Sequence, residues 1–254
     1  MRLPSWRFIR MWQRNRDVFL RLWRSIAPGF IFEPIILLLA LGLGFGHFMG
    51  VIDGQDYIYF IVPGVIASYV MTSATFECTY GAFFRMEYRR TYDSILATPL
   101  NIEDVVAGEI FWGATRSLVT ATIILVVAAL FQLLPSPWVL LVPVVAVLEG
   151  VMFASIGMVF VSLAPSIYSF NYYFTLFIAP ITFFSGAFFP LDSFPEAVQV
   201  VSSIVPLTPA VELIRALVQG EFHPGLLLSL AYIVLLAGLF FLISMVAMRR
   251  RVID

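Results

Sequence analysis

Gly150 to Leu191 reads GVMFASIGMVFVSLAPSIYSFNYYFTLFIAPITFFSGAFFPL and holds no charged residue. That stretch is long enough for two membrane crossings, because a spanning helix needs roughly 20 apolar residues. The rest of the chain has the same character. Of 254 residues, 61% are hydrophobic and 12% charged, and the mean hydropathy is +0.95, outside the range of soluble globular domains. Inside a bilayer only helices and closed barrels satisfy their own backbone. A barrel would alternate apolar and polar residues in short segments, and no such alternation is visible, so the sequence predicts an all-α integral membrane protein.

Working outward from that stretch, six spans are expected, at roughly 27–49, 57–84, 105–134, 138–163, 169–189 and 226–248. The charges orient them. All fifteen basic residues are arginines: seven fall between Arg2 and Arg24, three between Arg85 and Arg90, and three at Arg249 to Arg251. Positive residues mark the cytoplasmic side, so these three regions, both termini included, are expected there; an even span count agrees. No cleavable signal peptide is expected. Cys78, the lone cysteine, lies in an apolar run and excludes an intrachain disulfide.

Arg7, Arg10, Arg14, Arg21 and Arg24 recur at helical spacings, with Trp6, Trp12 and Trp23 between them. Residues 3–25 therefore read as an amphipathic helix in the headgroup plane, arginines toward lipid phosphates and tryptophans at the acyl boundary. A solvated basic tail is the plainer alternative.

The second feature is RRTYDSILATPLNIEDVVAGE, from Arg89 to Glu109. Tyr88, Tyr92, Ile95 and Leu96 share one helical face, while Arg89, Arg90, Asp93 and Ser94 lie elsewhere, which predicts a three-turn amphipathic helix over residues 87–99, from Glu87 to its stop at Pro99. Asn101 can cap the following span, with Glu103 and Asp104 in its first turn. A short ordered element between two spans has the look of a docking handle, against the plainer reading of an interfacial loop. In residues 192–220, Ser193-x-x-Glu196 fits a capping box and Thr208-Pro209 fits a cap followed by a first-turn proline. Two short re-entrant or external helices follow from those starts, with Glu212 and Arg215 placed to pair on the second.

Ionisable residues within spans are costly and need a reason. Glu77, Glu109, Arg116 and Glu149, together with Glu33, either pair inside the bundle or line a polar path; Glu33 and Glu109 also lie near enough to the cytoplasmic ends to snorkel. Gly42, Gly46 and Gly50 form a small-residue stripe that permits close helix packing. No catalytic residue and no metal site is expected. Ser185 and His223 lack the glycine context of an intramembrane serine protease, and His47 has no partner at metal-ligand spacing. With no lysine anywhere, the chain lacks the phosphate-binding Gly-x-x-x-x-Gly-Lys loop of an ATPase.

Four stretches carry a resemblance over nearly the whole chain: FIVPGVIASYVMTSATFECTYGAFFRM at Phe60 to Met86, RTYDSILATPLNIEDVVAGEIFWGATRS at Arg90 to Ser117, FFSGAFFPLDSFP at Phe183 to Pro195, and PLTPAVELIR at Pro206 to Arg215. In these the chain resembles the permease subunit of type-2 ABC exporters, most closely the NodJ-like subfamily that exports nodulation factors, which are lipo-oligosaccharides. The resemblance implies a single transmembrane permease domain over 1–254 that binds no cofactor. ATP and magnesium would be held by a separate ABC ATPase, present in two copies on a homodimer of this chain. It also implies that residues 87–99 are the coupling helix, residues 3–25 the interfacial helix, and residues 192–220 the external helices. The substrate would be amphiphilic (a lipo-oligosaccharide, a polysaccharide or glycolipid, or a drug-like molecule) and would leave across the bacterial inner membrane. No nucleic-acid partner is implied. An ATP-independent secondary transporter or channel is the alternative, with Glu77 and Glu149 as its midplane acids.

Overall fold

The computed structural model describes residues 4–49, 51–52 and 55–253; the side chains at 26, 27, 30, 31, 43, 45, 47, 49, 51 and 52 lie outside the described set. Helix α1 (Phe8–Leu39) passes through a π turn (Ala40–Phe45) into α2 (Gly46–Met49). Strands β1 (Val51–Ile52) and β2 (Gln55–Asp56) pair antiparallel, Val51 opposite Asp56. Helix α3 (Tyr57–Phe76) extends through π turns at Glu77–Gly81 and Phe84–Tyr88, and α4 (Thr91–Leu96) and α5 (Ile102–Leu130) follow. A 3-10 turn (Pro137–Leu141) leads into α6 (Val142–Leu163). Helix α7 (Ser169–Tyr173), a π turn (Phe174–Ile178) and α8 (Ala179–Phe184) form one short rod, and α9 (Glu196–Ile204), α10 (Thr208–Gln219) and α11 (Gly225–Val252) complete the chain.

Among the described residues, four rods are long and apolar enough to cross a membrane: Tyr57–Tyr88, Ile102–Leu130, Pro137–Leu163 and Gly225–Val252. The pair α9 and α10, bent by 86°, adds a fifth if taken as one span. Two of the six expected spans are altered. The first is not preceded by a separate interfacial helix. Instead α1 runs unbroken from Phe8 to Leu39, with Pro28 and Pro34 inside it. Its N-terminal half packs along α5, where a Cβ on Gly108 would stand 2.5 Å from Met11 Cβ. Leu3 and Gly50 lie outside the described residues. The fifth is short: Ser169 to Phe184 rises about 24 Å at 1.5 Å per residue, less than the roughly 30 Å hydrocarbon core.

Helix α6 forms the centre of the bundle, against α11, α5 and α3. Small residues permit the close approach. A Cβ on Gly150 would lie 2.9 Å from Ser117 of α5, and one on Gly113 would lie 2.8 Å from Cys78 Sγ. Gly42 serves the same purpose within the chain, where an added Cβ would meet Ile58 at 2.7 Å.

Local chemistry sets the ends. Asn101 and Asp104 form a reciprocal capping box on α5. The box expected at Ser193 does not form. Ser193 closes a 3-10 turn and α9 starts after Pro195, which needs no N–H of its own there. Helix α10 begins at Thr208, whose hydroxyl donates to Ser202 O at 2.6 Å rather than capping its own helix. Between α8 and α9 the chain turns sharply at Gly186, whose φ of +77° suits glycine. Tyr57 and Arg215 hold that turn by donating to Phe188 O at 3.0 Å and Gly186 O at 2.9 Å.

Candidate functional site

The charged residues of the expected docking segment and of the spans meet at one end of the bundle. Glu77 and Arg85 lie two turns apart on the extension of α3, with Gly81 between them. A Cβ on Gly81 would stand 3.0 Å from Glu77 Oε1 and 3.3 Å from Arg85 Nη1, so glycine leaves room for the two side chains to meet. Arg85 Nη1 donates to Glu77 Oε1 at 2.8 Å. Its Nε and Nη2 grip Glu109 of α5 bidentately, at 2.8 and 2.6 Å. Arg116, two turns along α5 from Glu109, donates to the other oxygen of Glu77 at 3.2 Å.

Two guanidinium groups thus face two carboxylates, and their formal charges cancel. Neutrality matters because an unpaired charge in this setting costs several kcal/mol, by order of magnitude. Glu109 is fully buried and does not snorkel. Two more donors fill its remaining acceptor positions: Asn15 Nδ2 of α1 at 3.0 Å and the Tyr92 hydroxyl of α4 at 3.2 Å. Burial, and next the Glu109 charge, push the Tyr92 phenol above its ordinary range, so it stays protonated and keeps donating. One carboxylate therefore joins α1, α3, α4 and α5.

Helix α4 is shorter than the sequence predicts. The π turn ends at Tyr88, Arg90 takes a left-handed conformation (φ 47°, ψ 33°), and the helix occupies only Thr91–Leu96. This break divides the expected apolar face. Tyr92 is fully buried and Ile95 and Leu96 half-buried, while Tyr88 is exposed. Glu87, Arg89, Arg90, Asp93, Ser94, Thr98 and Pro99 also face outward, a mixed-charge surface on a helix pinned from below. Arg90 and Asp93 approach to 3.7 Å, an exposed pair of little energetic weight.

Both chain ends fasten to the same place. Asp104 accepts from the Ser5 backbone N–H at 2.6 Å and hydroxyl at 2.9 Å, and Arg7 donates to Pro99 O. At the other terminus Arg249 pairs with Glu103 at 3.0 Å and Arg251 with Glu87 at 2.9 Å. Arg251 also donates to Val161 O and Ala164 O, the unsatisfied carbonyls at the end of α6.

The other expected residues lie apart. Trp6, Arg7, Arg10, Arg21, Trp23 and Arg24 are exposed; Trp12 donates to Thr115 Oγ1 at 2.8 Å, and Arg14 is half-buried. Glu212 and Arg215 each reach outside their helix: Glu212 accepts from Ser229 at 2.7 Å, while Arg215 holds Gly186 and stands 4.3 Å from the centre of the Phe60 ring. Glu149, fully buried on α6, has no hydrogen-bond partner among the described residues. Ser185 donates to Thr182 O, and no group of three metal-binding side chains occurs among the described residues.

Sequence reasoning missed two members of the network. The sequence places Arg85 only in a topology-setting cluster and gives no prominence to Asn15. A signal for Arg85 was present in the Glu-x-x-x-Gly-x-x-x-Arg spacing of Glu77, Gly81 and Arg85. Asn15 left no such trace, since its partner is far away in sequence.

The profile of a family described as ABC-2 type transporter matches residues 7–218. The chain is 35% identical over 254 residues to Nodulation protein J of Sinorhizobium fredii, covering 99% of this chain and 97% of that protein. It is 40% identical over 231 residues to Nodulation protein J of Rhizobium meliloti, covering 88% and 87%. A more distant relative, the Inner membrane transport permease YadH of Escherichia coli, is 25% identical over 203 residues, 78% of this chain and 77% of that protein. With its apolar helices and this match over most of its length, the chain belongs to the ABC-2 type transporter family, as an integral membrane transport permease.

Proposed function

We propose that the protein is the membrane-embedded subunit of an ATP-driven exporter in the bacterial inner membrane, with six spans and both termini cytoplasmic. Two copies of the chain would bind two copies of a separate ATPase, which holds ATP and magnesium. The substrate would be an amphiphile: a lipo-oligosaccharide, as the resemblance to nodulation-factor exporters implies, a polysaccharide or glycolipid, or a drug-like molecule. The observation that carries this reading is the hydrogen bond from Tyr92 to Glu109. It ties an exposed six-residue helix to the charge network that spans α1, α3 and α5. A partner pushing on Asp93, Ser94, Arg89 and Arg90 would move Tyr92, and with it the Glu109 and Arg85 contacts that set how three helices pack. Transmission of this kind needs two discrete packings of the bundle, and a closed charge network favours discrete arrangements over gradual ones.

The test is gentle purification of the tagged protein from its native membrane, followed by mass spectrometry of its companions. An ABC-type ATPase should be recovered, and should be lost when Arg89 and Arg90 are both changed to Glu. Recovery of this chain alone across several mild detergents would refute the reading and favour the ATP-independent transporter.

A further inference from the structure

A cavity of about 370 Å3 opens beside the charge network, between α1, the extension of α3, and α5. Its volume lies within the roughly 300–1,000 Å3 common for small-molecule sites. Four guanidinium groups line it: Arg14, Arg85, Arg89 and Arg116. Two of these are committed, since Arg85 and Arg116 answer Glu77 and Glu109. The other two are in surplus. Arg14 donates to the neutral amide oxygen of Asn15 at 2.9 Å, and Arg89 stands 5.4 Å from the centre of the Phe84 ring. Neither has a carboxylate within ion-pair distance among the described residues. The cavity thus carries a net charge of about +2, with Arg14 half-buried in its wall and Arg89 at its exposed rim.

We propose that this cavity binds the phosphate-class headgroup of a membrane amphiphile. Planar guanidinium forks match phosphate oxygens in geometry as well as charge, and the surplus here has no carboxylate partner among the described residues. The rim supports an amphiphile over a fully soluble anion, because Val18, Phe76 and Phe84 line the same cavity and are 37%, 53% and 43% exposed. Those surfaces suit acyl chains attached to the headgroup. Occupancy would also bear on α4. An anion held by Arg14 and Arg89 would lie in the cavity that Arg85 also lines, and Arg85 holds the Glu109 carboxylate to which Tyr92 donates, so headgroup binding would bear on the seating of the exposed helix.

The experiment uses the purified full-length chain without any ATPase, so its outcome is independent of the exporter reading. Binding of dihexanoyl phosphatidic acid, of dihexanoyl phosphatidylcholine and of inorganic phosphate is measured in a non-ionic detergent. Saturable binding of the phosphatidic acid is expected, preferred over the choline lipid, and weakened about tenfold by Arg14→Gln and similarly by Arg89→Gln. Arg14→Lys should recover part of the loss, and Arg250→Gln, an exposed arginine at the C-terminus, should change nothing. Tighter binding of the lipid than of inorganic phosphate supports a headgroup site. Equal binding keeps the anion site but assigns it to a soluble phosphate, overturning the lipid part of the proposal. A loss in Arg250→Gln as large as in Arg14→Gln, or no loss in either cavity variant, overturns the site altogether.

Discussion

Glu109→Gln tests whether the network is one unit or a set of separate contacts. The substitution keeps the shape of the side chain and removes one negative charge. Arg85 is then left with Glu77, which already serves Arg116, and the neutral quartet becomes a buried site of charge +1. Removing one partner of a buried pair typically costs about 3–5 kcal/mol, most of it from the charge left behind. Arg85→Gln should cost a similar amount with the opposite sign of excess charge. The two together should not cost the sum. In the double variant the Glu77–Arg116 pair survives intact, the other two groups are neutral amides, and no net charge is buried. A coupling of about 2–3 kcal/mol is expected, near the top of the range for residues in one network. The assay is equilibrium unfolding of the wild type, the two single variants and the double variant in mixed micelles. Losses that add to within about 0.5 kcal/mol would refute the reasoning, since additivity is the signature of independent sites.

Two further substitutions probe the packing away from this network. Gly64→Ala should destabilise the bundle by about 1–3 kcal/mol, the usual cost of overpacking, because its Cβ would fall 1.9 Å from Ala187 O in the turn held by Tyr57 and Arg215; an unchanged melting temperature would show that the turn moves aside freely. Glu149→Met should stabilise the protein by about 1–3 kcal/mol, the desolvation penalty of an unsatisfied buried polar group, because its carboxyl oxygens have no partner among the described residues; a lower melting temperature would show that the carboxyl takes a partner in the assembled transporter.

Composition and charge placement made the fold class legible, because the bilayer punishes any backbone that is not internally satisfied. Element starts were legible where the signal is local. Asn101 caps α5 as the sequence predicts, and Asp104, three residues on, closes a reciprocal capping box with it. The two short helices of residues 192–220 are present, though α9 begins after Pro195 rather than after a capping serine. What was not legible depends on distant partners. The helix read across residues 87–99 is interrupted at Arg90, and nothing in its own periodicity registers that Tyr92 is drawn inward to a carboxylate seventeen residues away. Likewise nothing in the N-terminal amphipathic pattern registers its partner on α5, where Gly108 admits Met11 and Phe8 while Trp6, Arg7, Arg10, Trp23 and Arg24 stay exposed.

The arrangement around Gly81 shows why the network has room for little else. A Cβ there would crowd the tips of Glu77 and Arg85, at 3.0 and 3.3 Å, so the pair could stay closed only by giving way by a few tenths of an ångström. Arg85 is held on both sides, by Glu77 from its own helix and by Glu109 from α5, so it cannot follow one without straining the other. Tyr92 adds a third attachment, from outside the bundle. A displacement of α4 therefore has two consequences to choose between: it breaks the bond to Glu109, leaving the buried carboxylate short of a donor, or it carries Glu109 and Arg85 along and shifts α5 against α3. The first costs about 1.5–3 kcal/mol, as for a hydrogen bond to a charged group. The second strains Arg85 between Glu77 of its own helix and Glu109 of α5. By either route a displacement of α4 is felt where α3 and α5 meet, and the Tyr92–Glu109 bond is what carries it there.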